Sequence, residues 1–351
     1  MKKFFQQMVV ISILSVMLIG FGFTEKAASA EDVVRIGLSF GTLQQERWTK
    51  ERKMMETFAE ELGGIEIIVQ SADSDATKQA AQCENLLAQG VDVLIVVPQD
   101  AEAAAVIVQK AHEIDVPVIA YDQMINNADV DVYVSFDSVK VGEYMAEYLV
   151  KKYPKGNYVI LKGGPEDNNA HLVYEGNMNV LQKYVDSGDI KIVADQWCKN
   201  WSPEEALKHT ENALTANDND IQAIVTGWDG LAGAAVQALA AQGLAGKVGV
   251  SGQDADLSAC QRIVEGTQTM TVYKPLKKLA KAGIDTALAL AKGEKPQLTG
   301  TVNNKKIDVP AVLPEIYPVD ETNMVEAVIN DGFHTIADVY KNLPKDQWPK
   351  Q

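Results

Sequence analysis

Strands and helices alternate along this chain, stop, and then alternate again, and that double run leaves few architectures open. Residues 33–38, 65–69, 91–97, 116–120 and 132–135 are short apolar stretches that read as strands. Between the first four, residues 46–62, 75–89 and 101–114 carry apolar positions at helical spacing, and Gly90 closes the second of these helices. The pattern restarts with strands at 157–162, 190–194, 221–225 and 247–251. Helices are predicted between them at 170–184, 203–216 and 230–242. Buried strands joined by helices build a parallel, doubly wound sheet with both faces covered. Two such runs predict two similar lobes.

The strand ends are as informative as the strands. Pro98-Gln99-Asp100, Tyr121-Asp122-Gln123, Trp228-Asp229 and Gln253-Asp254-Ala255-Asp256 each follow an apolar run directly. In open α/β sheets, ligands bind outside the carboxyl ends of the strands. If the two sheet edges face each other, these side chains line one cleft. Asp254 and Asp256 have a second reading, as caps of the next helix. After Asp256 come a helix at 257–265, an extended piece at 267–273 and a long helix at 275–291. Residues 302–333 are less regular and the remainder is weakly patterned.

The formal net charge of −16 argues against nucleic acid or an anionic membrane surface as the main partner. Lys2 and Lys3, the apolar run from Met8 to Phe23, and Ala28-Ser29-Ala30 form an export signal with cleavage expected after Ala30. That implies a periplasmic or cell-surface protein. Cys83, Cys198 and Cys260 are far apart, with no C-x-x-C, and read as small buried residues.

Catalytic motifs are missing. His112, His171, His209 and His334 are scattered, and neither a G-x-S-x-G elbow nor a phosphate loop occurs. The chain is therefore read as a non-enzyme with no metal and no cofactor. What the strand ends and loops do offer suits a neutral polyol: Arg47 and Trp48, Asp122 and Gln123, Asn168 and Asn169, Trp197 and Trp201, Trp228 and Asp229, Gln253 and Asp254, and Lys274. Carboxylates accept from adjacent hydroxyls, Arg, Lys and Asn donate, and an indole face covers the C–H side of a sugar ring. Each has a plainer role open to it. Trp197 and Trp201 could pack on each other, Arg47 could pair with Glu51, and Asn168 could cap a helix.

Glu46-Arg-Trp48, Tyr121-Asp122 with Met124-Ile-Asn126, Asp167-Asn-Asn-Ala170, Asp195-Gln-Trp197, Ser251-Gly-Gln-Asp-Ala-Asp256, the run from Gly266 to Pro275, and Asp331-Gly-Phe-His334 together resemble the periplasmic sugar-binding proteins of the ribose/galactose type. The likeness runs from about Val33 to Phe333 and is strongest to the D-xylose-binding members that serve ABC importers. It implies a type I periplasmic binding protein fold, two lobes joined by three crossovers, and a monosaccharide held between them. The lobes are expected as 31–138 with about 256–300, and 139–255 with about 301–335, leaving 336–351 as a tail.

The resemblance points to Arg47, Trp48, Asp122, Asn169, Trp197, Asp254 and Lys274 as contacts, and Gln123, Trp228 and Asp229 complete the expected site. The resemblance also implies ABC permease subunits as partners, a monomeric state, and a chemoreceptor or membrane sensor as the alternative recipient. Two positions depart from the xylose pattern. Gln123 stands where those proteins carry Arg, and Trp228-Asp229 where they carry Asn-Asp, which bears on which aldose is bound.

Overall fold

In a computed structural model that describes residues 33–349, the alternation becomes two sheets. The export signal expected over residues 1–30 lies outside the described range. The first lobe opens with β1 (Val34–Phe40), α1 (Glu46–Leu62), β2 (Ile65–Ser71), α2 (Ala76–Ala88), β3 (Val93–Val97), α3 (Ala105–His112), β4 (Val118–Tyr121) and β5 (Val132–Val134). The second follows with α4 (Ser138–Lys152), β6 (Gly156–Lys162), α5 (Asn168–Asp186), β7 (Ile190–Trp197), α6 (Pro203–Ala216), β8 (Ala223–Thr226), α7 (Asp229–Ala241), β9 (Gly249–Val250) and α8 (Leu257–Val264). Then come β10 (Thr271–Tyr273), α9 (Leu276–Ala291), β11 (Gly300–Asn303), β12 (Asp308–Val312), β13 (Tyr317–Val319) and α10 (Ile336–Val339).

The first sheet runs β11-β12-β5-β4-β3-β1-β2, parallel except for β11, and the second runs β7-β6-β8-β9, all parallel. Each is buried on both faces. In β3, Val93 and Ile95 pack under α1 and α9 with Met55, Leu279 and Ile284, while Leu94 and Val96 face α2 and α3 with Leu86 and Ile107. The second sheet repeats this, with Val159 and Leu161 toward α6 and α7, and Tyr158 and Ile160 toward α4 and α5. Each fully buried aliphatic side chain of this kind contributes about 1.5–3 kcal/mol.

Helix starts are set by side-chain caps. Asp75, Asp137, Asp167 and Ser202 accept from backbone N–H groups of α2, α4, α5 and α6 respectively. Asp100 instead closes a turn on the N–H groups of Glu102 and Ala103, so α3 begins later than its apolar pattern suggests.

The chain crosses between lobes three times, near residues 135–138, 273–276 and 312–317. At the last two crossings β10 and β13 pair antiparallel, and a single bridge from Gln253 to Val272 ties β10 to the second sheet.

The division of the carboxyl-terminal third differs from the sequence expectation. β12 pairs with β5 and carries β11 with it, so residues 300–312 belong to the first lobe. Val309 and Ala311 are buried there, and the Asn304 amide donates to the Ile125 and Ala128 carbonyls. α8 belongs to the second lobe, because Cys260 and Ile263 pack on Met324, Val328 and Val339. The expected tail is part of the same core: Val339 and Tyr340 are buried in it, and Leu343 and Trp348 pack against it. All three cysteines are buried thiols. Among the described residues, no helix is long and apolar enough to cross a membrane.

Candidate functional site

The carboxyl ends of the two sheets face each other across a cleft. Arg47 and Trp48 enter it from the first turn of α1, and Asp122 and Gln123 from the end of β4. From the second lobe come Asn169 in the first turn of α5, Trp228 just before α7, Gln253 and Asp254 after β9, and Lys274 after β10. They line an inner cavity of about 30 Å³, which shares Arg47, Trp48, Gln123, Trp201 and Trp228 with an interlobe cleft of about 850 Å³. Asp122 (φ 60°) and Asp254 (φ 95°) both hold left-handed backbone conformations. For residues other than glycine this costs on the order of 1–3 kcal/mol and recurs at functional sites.

Arg47 organises one corner. Its Nη2 donates to Asp122 Oδ1 at 2.7 Å, and its Nη1 lies 3.5 Å from Asp254 Oδ1. Lys274 Nζ sits 2.6 Å from Asp254 Oδ1 and donates to Gln253 Oε1 at 3.0 Å. The guanidinium lies 4.2 Å from the centre of the Trp48 ring, a cation–π contact. Burial disfavours the charges on Arg47 and Asp254, but their partners offset it. Asp122, Glu51 and Asp254 outweigh the desolvation of Arg47 and keep it protonated. Burial likewise works against the Asp254 charge, yet Lys274 and Arg47 hold its pKa below the usual carboxylate range.

The opposite side is a seam between lobes made of neutral donors. The Asn169 amide donates to the Asp122 carbonyl at 2.7 Å and accepts from the Tyr133 hydroxyl at 3.0 Å. Gln123 Nε2 donates to Asp167 Oδ2 at 2.6 Å, and the Ala101 N–H reaches the Glu166 carbonyl at 3.2 Å. Among the described residues, Asp167 makes no ion pair. Burial, with Asp122 nearby, pushes its carboxyl up to about 7 despite hydrogen bonds from Asn169 N–H and Gln123.

Two residues expected in the site are elsewhere. Trp197 ends β7 among His171, Tyr174 and Lys162 and lines neither cavity. Trp201, four residues on, takes its place. Asn200 and Trp201 adopt positive φ, which turns the chain back and lays the Trp201 indole over Gly163; a Cβ on that glycine would stand 2.2 Å from the ring. Asp229 is fully buried and points away from the cleft. Its carboxylate accepts from Gln268 Nε2 at 2.8 Å, Thr271 Oγ1 at 2.8 Å and the Asp256 N–H at 3.0 Å, which anchors α8 and β10.

Asp167, absent from the expected set, lines the cleft and also caps α5, the role open to Asn168 in the sequence. Its signal was an acidic residue directly before Asn-Asn at a helix start. Among the described residues, no cluster of three or more His, Cys, Asp or Glu is placed to hold a metal.

Comparison with known proteins gives a consistent picture. The model of the periplasmic binding protein domain family matches residues 36–295. The D-xylose-binding periplasmic protein of Escherichia coli is 49% identical over 89% of this chain and 94% of its own length. The protein of the same description from Haemophilus influenzae is 47% identical over 90% and 94%. Among solved structures, a carbohydrate transporter solute-binding protein from Chloroflexus aurantiacus in complex with D-glucose matches with a TM-score of 0.80 at 31% identity, covering 86% of this chain and 97% of its own.

Proposed function

The chain belongs to the periplasmic binding protein family, and from that premise we propose that it is an exported receptor that captures a monosaccharide between its lobes and delivers it to an ABC importer. D-xylose is the first candidate ligand. The reading includes cleavage after Ala30, action as a monomer, and binding without catalysis.

One observation carries it: a charged corner and two indoles meet in a single interlobe cavity. Asp122 and Asp254 are acceptors for adjacent sugar hydroxyls, and Arg47 and Lys274 are donors already oriented by those carboxylates. Trp201 and Trp228 line the same cavity and supply faces for the C–H side of the ring. A sugar entering between Arg47 and Asp254 replaces their long 3.5 Å contact with hydroxyl-mediated bonds that join the lobes. Closure is then the ligand's differential affinity for the closed state. Gln123 and Trp228, which depart from the xylose pattern, tune the choice among aldoses.

Isothermal titration of residues 31–351 with D-xylose, L-arabinose, D-ribose, D-glucose and D-galactose tests the proposal. One saturable site for at least one of them is expected, with D-xylose among the tightest. Absence of saturable binding by all five overturns it. Mass measurement of the secreted chain checks the cleavage point.

A further inference from the structure

Arg47 stands in the first turn of α1, where the helix dipole disfavours a cation. It is held there by a buried group behind it that does not face the cleft. Glu51, one turn on, is fully buried and lines neither cavity. Its Oε1 accepts from Arg47 Nε at 2.9 Å and lies 2.7 Å from Nη2. Its Oε2 accepts from the Tyr121 hydroxyl at 2.7 Å.

Tyr121 is the residue before Asp122, so the contacts close a ring: Tyr121 to Glu51 to Arg47 to Asp122 and back along the chain. Gly283 on α9 makes room for this arrangement, since a Cβ there would stand 2.9 Å from the Tyr121 ring. A glycine inside a helix costs roughly 1 kcal/mol relative to alanine, and here it admits the ring that steadies Glu51.

We propose that Glu51 and Tyr121 are positioning residues for Arg47: they fix the plane of the guanidinium so that Nη1 and Nη2 face the cleft, and neither touches the ligand. The inference rests on reading the cleft as a sugar site. Without the Glu51 charge, Arg47 can swing toward Asp122 alone and leave Asp254 to Lys274. Tyr121 restrains Glu51 from the other side, and its effect is correspondingly smaller.

The test is a double-mutant cycle read by sugar affinity, with circular dichroism and thermal melting to follow the fold. Wild type, Glu51→Gln, Glu51→Asp, Tyr121→Phe, Arg47→Lys and the doubles of Arg47→Lys with Glu51→Gln and with Tyr121→Phe are titrated with D-xylose and D-glucose. Glu51→Gln is expected to weaken binding about tenfold, Tyr121→Phe about threefold, and Glu51→Asp, which keeps the charge, less than about threefold. In the Arg47→Lys background, Glu51→Gln and Tyr121→Phe are expected to change affinity by less than about twofold, because the group they orient is gone.

Unchanged affinity in Glu51→Gln with a lowered melting temperature makes the role purely structural and overturns the inference. So does an equal loss in both backgrounds. If Glu51→Gln does not fold, the Tyr121→Phe cycle decides by the same criterion. A wild-type chain that binds neither sugar removes the sugar reading and this inference together, whereas binding without coupling removes the inference alone.

Discussion

At one end of the cleft, Asp122 and Asp254 share the Arg47 guanidinium and Asp254 also holds the Lys274 ammonium; at the other, Asp167 has the Gln123 amide, a backbone N–H and, among the described residues, no cation. The three carboxylates are similarly buried, so the difference lies in their partners. Lys274 and Arg47 hold the Asp254 pKa below the usual carboxylate range against its burial, while burial leaves Asp167, met only by neutral donors, shifted up to about 7. Arg47 and Asp254 thus hold their charges, and the corner is suited to supply affinity. The seam instead holds a buried carboxyl shifted up to about 7.

The sharpest way to break this comparison is at the corner. Asp254→Ala leaves Lys274 and Arg47 without their shared carboxylate, and loss of one partner of a buried pair costs about 2–5 kcal/mol in binding. Sugar affinity is expected to fall by at least about thirtyfold while circular dichroism still reports a folded chain. Calorimetric affinity within threefold of wild type would place recognition elsewhere.

Next in size is the indole. Trp201→Ala is expected to weaken binding about tenfold through lost stacking and packing. Fluorescence or calorimetric titration reads this directly, and an unchanged constant would remove Trp201 from the site.

The seam is tested by pH. Asp167 lines the same cavity, and a ligand hydroxyl that donates to its ionised form would bind about three- to tenfold more weakly at pH 6 than at pH 8. The charged and titratable groups around it are Asp122 and Tyr133 from the first lobe and Glu166 from its own. Asp167→Asn isolates its share by flattening the profile.

Stability moves in the opposite sense. A carboxyl whose folded pKa is raised binds more protons folded than unfolded, so stability drops as pH rises from about 4 to about 7 and is level above. Asp167→Asn is therefore expected to bind more weakly and to melt higher at pH 8. A lower melting temperature there would show that the carboxylate is not the strained group.

The smallest effect is expected at Trp197, which is engaged with His171, Tyr174 and Lys162. Trp197→Ala should change sugar affinity by less than about twofold, as for a side chain remote from the ligand. A loss matching that of Trp201→Ala would reverse the assignment of the two tryptophans.

The two sheets were legible because parallel strands buried on both faces are continuous apolar runs, and the helices between them keep a clear period. The hairpin of β11 and β12 was not. Its strands are short, Pro310 interrupts one, and Gly300, Thr301 and Asn303 are exposed. Its place beside β5 depends on a pairing far away in sequence. Membership of α8 and α10 was hidden for the same reason: a helix's apolar face states that it packs, not on which lobe.

At the site, Arg47, Asp122, Asp254 and Lys274 were visible as polar groups at strand and loop ends. What was not visible is direction. Asp254 and Asp229 both follow an apolar strand, but positive φ turns Asp254 toward the cleft, whereas Asp229 begins a helix and turns inward. Trp201 reaches the cleft through positive φ at two residues other than glycine, and residue type does not announce that.

The most direct measurement is a crystal structure of residues 31–351 grown with saturating D-xylose. The expected result is one pyranose between the lobes, its hydroxyls within hydrogen-bond distance of Asp122, Asp254, Arg47 and Lys274, and its C–H face on Trp201 or Trp228. A sugar seated away from that corner, or a cleft without sugar at a saturating concentration, would contradict the account.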